Sequence, residues 1–270
     1  MTRKVCNIST IYIFEIVIDQ HNAIRAEIAN KYPLLASRKT LHGAFEFKQV
    51  SGKSETKLVN LSRRYQLFRK IRPDGNCFYR ALIVGAIEAS IELDVLDRFR
   101  DSLRDVAERC KSVGYDSFAI DEFFELVDEQ IGTLMAEPSS DSRLNTLERI
   151  FNDSSVDGYA VAFARCACGA ALKEWKDEYG AFLPEPYSSI DAFRRGEVDP
   201  MNKDADQLQV VATARILGVR LSIAYVDESD SEEANILKFG DPSSPLRVCM
   251  LYRPGHYDLL YPSSSIESYF

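Results

Sequence analysis

Histidine is scarce in this chain of 270 residues, occurring only as His21, His42 and His256. Any mechanism that needs an imidazole therefore has three candidates. Cysteine occurs six times, at positions 6, 77, 110, 166, 168 and 249, with no C-x-x-C pair and no disulfide-framework spacing. That excludes the common zinc modules and a disulfide-stapled scaffold. Cys166 and Cys168 stand two apart in an Ala-rich helical pattern, where i and i+2 face different ways, so no metal or other cofactor is expected. Reduced cysteines in an intracellular protein are the simpler reading. Positive charge is also short: 33 Lys and Arg against 41 Asp and Glu give a net charge of −8. A general nucleic-acid binder or a protein drawn to anionic membranes needs the opposite balance. The apolar stretch "VCNISTIYIFEIVI" contains Glu15, lacks a small-x-small cleavage site and falls short of the roughly 20 residues that span a bilayer. Repeats, heptads and long low-complexity tracts are absent too.

What is present is the composition of a globular protein with one large core, 46% hydrophobic and 27% charged. Apolar spacing predicts a helix from Ile18 to near Pro33 and a polar loop over 49–57. A buried helix is predicted over Phe78–Ile91, where Ala81, Gly85, Ala86 and Ala89 form a close-packing face. Further helices are predicted over Leu93–Val113, Ile120–Met135, Leu144–Phe151, Asp157–Tyr179 and Asp204–Leu217, the last stopping at Gly218. Strands are predicted at Val219–Val226, Val248–Tyr252 and Tyr257–Tyr261, with an acidic loop over 227–245. No Pro/Gly/Ser linker divides the chain, so the plan is a single-domain α+β (mixed α/β) fold whose sheet comes largely from the C-terminal quarter.

One stretch carries chemistry. In "RPDGNCFYRAL" (Arg72–Leu82), turn residues run directly into Cys77 and then a helix. A thiolate at a helix start lies at the positive end of the dipole, beside free backbone N–H groups. Gly75 permits an unusual backbone conformation, Asp74 can brace the turn, and the amides of the Asp74-Gly75-Asn76 turn can be aimed at an oxyanion. A cysteine nucleophile also wants a proton shuttle. His256 leaves a Pro-Gly turn and enters a strand, and Asp258, two residues on, shares its face. A carboxylate there fixes the imidazole tautomer, which completes a Cys77–His256–Asp258 set. The same residues have plainer readings: a small buried cysteine, a structural histidine and a turn carboxylate.

The stretch around Cys77, together with "LYRPGHYDLLYP", resembles the otubain family, OTU-type cysteine proteases that remove ubiquitin. "GYDSFAIDEFFE", "FNDSSVDGYAVAFAR", "GEVDPMNKDADQLQVVATARILGVRLSIAYVD" and "AEIANKYPLL" resemble further otubain segments in the same order, covering about residues 18–262. The resemblance implies a papain-like fold with a small central sheet between helical lobes. It implies a catalytic set of Asp74, Cys77, His256 and Asp258, with Gly75 and Asn76 in the oxyanion loop. The implied activity is hydrolysis of isopeptide bonds between the ubiquitin C-terminus and lysine, by a monomer in the cytoplasm and, as a second compartment, the nucleus. Ubiquitin and polyubiquitin are the implied partners, with ubiquitin-conjugating enzymes beside them. The alternative is a non-catalytic inhibitor of ubiquitin transfer, and a cysteine acyltransferase shares the same acyl-enzyme chemistry. Residues 1–17 do not look like an otubain N-terminus and stand as an unassigned extension. Residues 18–270 are expected to form the catalytic domain, with 18–38 as its N-terminal helical arm.

Overall fold

The computed structural model describes residue 20 and residues 22–41 and 52–263. The 1–17 extension, His21, His42 and positions 49–51 of the expected loop lie outside the described residues. A helix over 22–31 (α1) ends ahead of Pro33, as the spacing predicts. It is followed by a two-residue strand, Lys39–Thr40 (β1).

The expected loop over 49–57 is corrected from residue 53 onward, where helix α2 spans Lys53–Ser62. Its polar sequence misleads because only Lys57, Leu58 and Leu61 face inward. The Lys57 ammonium is satisfied at long range by the Asp227 carboxylate at 2.5 Å and the Ser229 hydroxyl at 2.7 Å. Strand β2 (Tyr65–Arg69) follows. Helix α3, Cys77–Glu92, is buried on nearly every side, as expected of a helix apolar all round. Helices α4 (Leu96–Ser112), α5 (Ser117–Ala136), α6 (Ser140–Ile150) and α7 (Ser154–Glu174) build a helical lobe against it. The starts of α5, α6 and α7 are set by side-chain caps: Asp116 accepts from Ala119 N–H, Ser139 from Ser142 N–H, and Asp153 from Ser155 N–H. The expected continuation of α7 to Tyr179 is broken at Trp175, after which a short helix, α8, covers Lys176–Tyr179. Short helix α9 (Ile190–Phe193) and helix α10 (Gln207–Ile216, opened by an Asp206–Gln209 capping box) complete the helices named here.

The strands form a six-stranded sheet in the order β1-β2-β6-β5-β3-β4, where β3 is Arg220–Tyr225, β4 Asn235–Gly240, β5 Arg247–Arg253 and β6 His256–Pro262. Among the described residues only β3 and β5 pair in parallel; the other strand pairings are antiparallel. β4 overturns the loop expected over 227–245. It is an edge strand, where polar residues such as Lys238 are tolerated, so its sequence alternation is weak. On one sheet face Leu221, Ile223, Val248, Met250 and Leu259 join the main core with α3 and α7. On the other, Phe68, Cys249, Leu251 and Leu260 pack with Leu58 and Leu61 of α2. Gly85 makes the α3–sheet approach possible: a Cβ there would sit 2.8 Å from Val248 Cγ1. This packing brings the start of α3 alongside the β5–β6 hairpin.

Candidate active site

Cys77 is the first residue of α3 and is buried. No side chain caps this helix, so its first-turn N–H groups are left without a side-chain acceptor. The preceding turn is held by its own residues. Gly75 has φ +79°, and a Cβ there would lie 2.5 Å from the Asn202 carbonyl carbon and oxygen. Asp74 Oδ1 accepts the Asn76 N–H at 3.0 Å. The Asn76 amide is therefore engaged in the resting structure, and its side chain is engaged as well. Asn76 Nδ2 donates to Asn202 Oδ1 at 2.9 Å, and Asn76 Oδ1 accepts the Asn202 N–H at 2.8 Å.

His256 opens β6 immediately after the hairpin turn, and its Nε2 lies 2.8 Å from Asp258 Oδ1. Asp258 is fully buried and saturated: Oδ1 also accepts the Ile71 N–H at 2.9 Å, and Oδ2 accepts Arg253 Nη2 at 2.8 Å. With Nε2 committed to the carboxylate, Nδ1 is the ring atom left for Cys77, and it is buried without a hydrogen bond of ordinary geometry. Burial works against a charged ring. The Asp258 and Cys77 side chains overcome it, and the His256 pKa is raised to about 9. Burial pushes Cys166, Cys168 and Cys249 up to about 12, and Cys110 upward too, so all four are neutral thiols.

Thus Asp74, Gly75, Asn76, Cys77, His256 and Asp258 are brought to one rim, where the start of α3 meets the start of β6. A separate cavity of about 480 Å³ opens at the opposite end of the strands, beside Glu88, Arg220 and Arg247. Sequence reasoning missed the charged groups behind the rim. Arg80, one turn after Cys77, is buried between Asp74 and Asp157, and Arg165 of α7 donates to the Gly75 carbonyl at 2.9 Å. A signal existed: each is the single arginine of its helix and is flanked on both sides by apolar residues, and such residues are rarely buried unless bonded. Arg253, which precedes the Pro254-Gly255 turn, pairs cross-strand with His256.

The family described as Peptidase C65 Otubain matches residues 27–262. The chain belongs to the otubain family. Among similar otubains, ubiquitin thioesterase OTUB1 of Homo sapiens is 31% identical over 249 residues, covering 92% of this chain and 90% of that protein. The OVARIAN TUMOR DOMAIN-containing deubiquitinating enzyme 1 of Arabidopsis thaliana is 26% identical, covering 93% of this chain and 88% of its own length. A solved complex of h/ceOTUB1 with ubiquitin aldehyde and UBC13~Ub superposes on 93% of this chain and 98% of that one, with a TM-score of 0.83 and 28% identity. The helical lobe and mixed sheet are those of the otubain α+β fold.

Proposed function

We propose that this chain is a cysteine deubiquitinase that hydrolyses the isopeptide bond between a ubiquitin C-terminus and a lysine. The observation that carries the proposal is the His256–Asp258 pair set beside Cys77 at an uncapped helix start. Asp258 holds the ring so that Nδ1 meets the thiol and takes its proton. The Cys77 sulfur then attacks the terminal carbonyl of ubiquitin, and the first-turn amides of α3 stabilise the oxyanion that forms. His256 returns the proton to the lysine nitrogen as the C–N bond breaks, which leaves a thioester on Cys77. Water, deprotonated by His256, attacks that thioester and frees the ubiquitin carboxylate and the thiol. Asp74 acts as a brace for the loop, through Asn76 and Arg80.

A ubiquitin probe with a C-terminal electrophile should label the wild-type chain and leave Cys77→Ala unlabelled; labelling of Cys77→Ala would overturn the assignment of the nucleophile. A panel of diubiquitins then reads linkage preference.

A second reading is favoured by one observation, the likeness across 93% of this chain to an otubain solved with UBC13~Ub. On that reading the chain also binds charged ubiquitin-conjugating enzymes and slows ubiquitin transfer without cleavage. Cys77→Ala, added to a transfer reaction, should slow it; an unchanged rate would remove this reading. We take residues 18–270 as one catalytic domain that acts as a monomer in the cytoplasm, which light scattering and cell imaging would test.

A further inference from the structure

Two buried arginines flank the loop before Cys77, and they are neutralised differently. Arg80 forks onto Asp74, with contacts of 3.0 and 2.8 Å, and onto Asp157, with contacts of 2.5 and 2.8 Å. One guanidinium against two carboxylates leaves this cluster with one negative charge in excess. Burial pushes the Asp157 carboxyl up, and its charge-assisted bonds to Arg80 act against that rise. Arg165, fully buried, meets no carboxylate within ion-pair distance among the described residues. It donates to neutral oxygens instead: Nη1 to the Val198 carbonyl at 2.9 Å, and Nη2 to the Gly75 carbonyl at 2.9 Å, Asn76 Oδ1 at 2.8 Å and the Lys203 carbonyl at 2.8 Å. Its Nε is buried without a partner, and its plane covers the Tyr79 ring at 4.3 Å.

A cation stripped of both water and counter-ion is costly to keep, and its carbonyl bonds alone do not call for a charge. Asp157 and Arg165 lie eight residues apart on α7, on one stripe of that helix; Arg165 bonds to the loop directly and Asp157 acts on it through Arg80. Burial pushes the Arg165 guanidinium pKa down, and Tyr79, Cys168, Asp74 and Cys77 act against that fall. The remaining charged neighbours do not replace Arg165. Asp199 is bonded to Arg194 and to the Tyr115 hydroxyl. Arg72 donates to the Tyr32 carbonyl and also acts on Asp74 and Asp157, but from a partly exposed position where solvent screens its charge, whereas Arg165 is fully buried. His256, Asp258 and Arg253 form their own cluster on the strand side.

We propose that Arg165 is an electrostatic positioning residue for Cys77. Its unpaired charge offsets the excess negative charge of the Asp74–Arg80–Asp157 cluster, so that a thiolate, and then an oxyanion, forms at Cys77 without repulsion from the loop that holds it. This rests on Cys77 being the nucleophile.

The test is the pH dependence of Cys77 alkylation by iodoacetamide, followed by peptide mass spectrometry on the full chain, so no ubiquitin substrate enters it. In the wild type, Cys77 should react faster than Cys166; equal rates would overturn the nucleophile reading itself and with it this proposal. Arg165→Gln should move the profile to higher pH and slow alkylation at neutral pH about tenfold, the effect of one unit charge several ångströms away in a partly polar interior. Removing the excess charge as well, in Arg165→Gln/Asp157→Asn, should restore the rate to within about threefold of wild type, with Asp157→Asn alone closing the double-mutant cycle. Arg165→Lys, which keeps the charge and loses the fork, should also stay within about threefold. An unchanged profile in Arg165→Gln, or a double variant as slow as the single, overturns the proposal. Where Arg165→Gln does not fold, Arg165→Lys decides alone, and a tenfold loss there overturns the charge role.

Discussion

His256 Nε2 and Asp258 Oδ1 lie 2.8 Å apart on one strand, and the same oxygen accepts the Ile71 N–H at 2.9 Å. The carboxylate is thus held by a neighbouring chain segment as well as by its own strand, and the ring it orients keeps Nδ1 free for Cys77. Four consequences of this packing can be measured.

The first is the alkaline limit of activity. With the His256 pKa raised to about 9, the imidazolium that protonates the leaving amine persists through neutral pH. The kcat/KM profile should fall above pH 9, and a fall near 6.5 would show that the pair does not form in the working enzyme. Stability follows the same sign. The folded state binds this proton more tightly than the unfolded one, so the contribution is complete below about pH 6.5 and is lost as pH rises through 9.

The second separates the groups around the carboxylate. Asp258→Asn should lower kcat by about a hundredfold or more, because the orienting charge is lost, and should bring the alkaline limb down toward 6.5. Arg253→Ala removes one of three contacts to Asp258 from a partly exposed position, and about a threefold loss is expected. Equal losses in the two variants would contradict this division. A fluorogenic ubiquitin substrate reads both.

The third concerns the turn. Gly75→Ala places a Cβ 2.5 Å from the Asn202 backbone at φ +79°. Denaturant unfolding should show a loss of about 1–3 kcal/mol. Probe labelling should fall further than stability does, because the loop that moves carries Cys77.

The fourth is a packing test remote from the chemistry. Gly85→Ala drives a methyl against Val248 Cγ1 at 2.8 Å and Leu259 Cδ2 at 3.0 Å, which should cost about 1–3 kcal/mol. Adding Val248→Ala makes room for it, so the double variant should be less destabilised than the sum of the singles. Simple additivity would show that the helix–sheet contact relaxes elsewhere.

The parts of the fold legible in advance were those whose signals are local. α3 reads as a buried helix because its apolar residues and small residues are continuous in sequence. β3, β5 and β6 read as strands because interior strands are apolar on both faces. α2, β2 and β4 escaped notice because their stability comes from distant partners. Arg69 of β2 is buried against Glu88 and Glu148, and Lys57 of α2 against Asp227; no local pattern announces either.

The reactive pieces are local features of the chain: a cysteine between a turn and a helix, and a histidine with an aspartate two residues away, whose common face follows from the period of a strand. That these pieces meet follows from the fold, since the packing of α3 on β5 and β6 closes a gap of well over a hundred residues. The fold also decided the charges behind them. Arg80 finds Asp157 across 77 positions, and Arg165 finds Gly75 across 90. Charges that far apart along the chain have no fixed distance until the core packs, so the field at Cys77 belongs to the folded molecule alone.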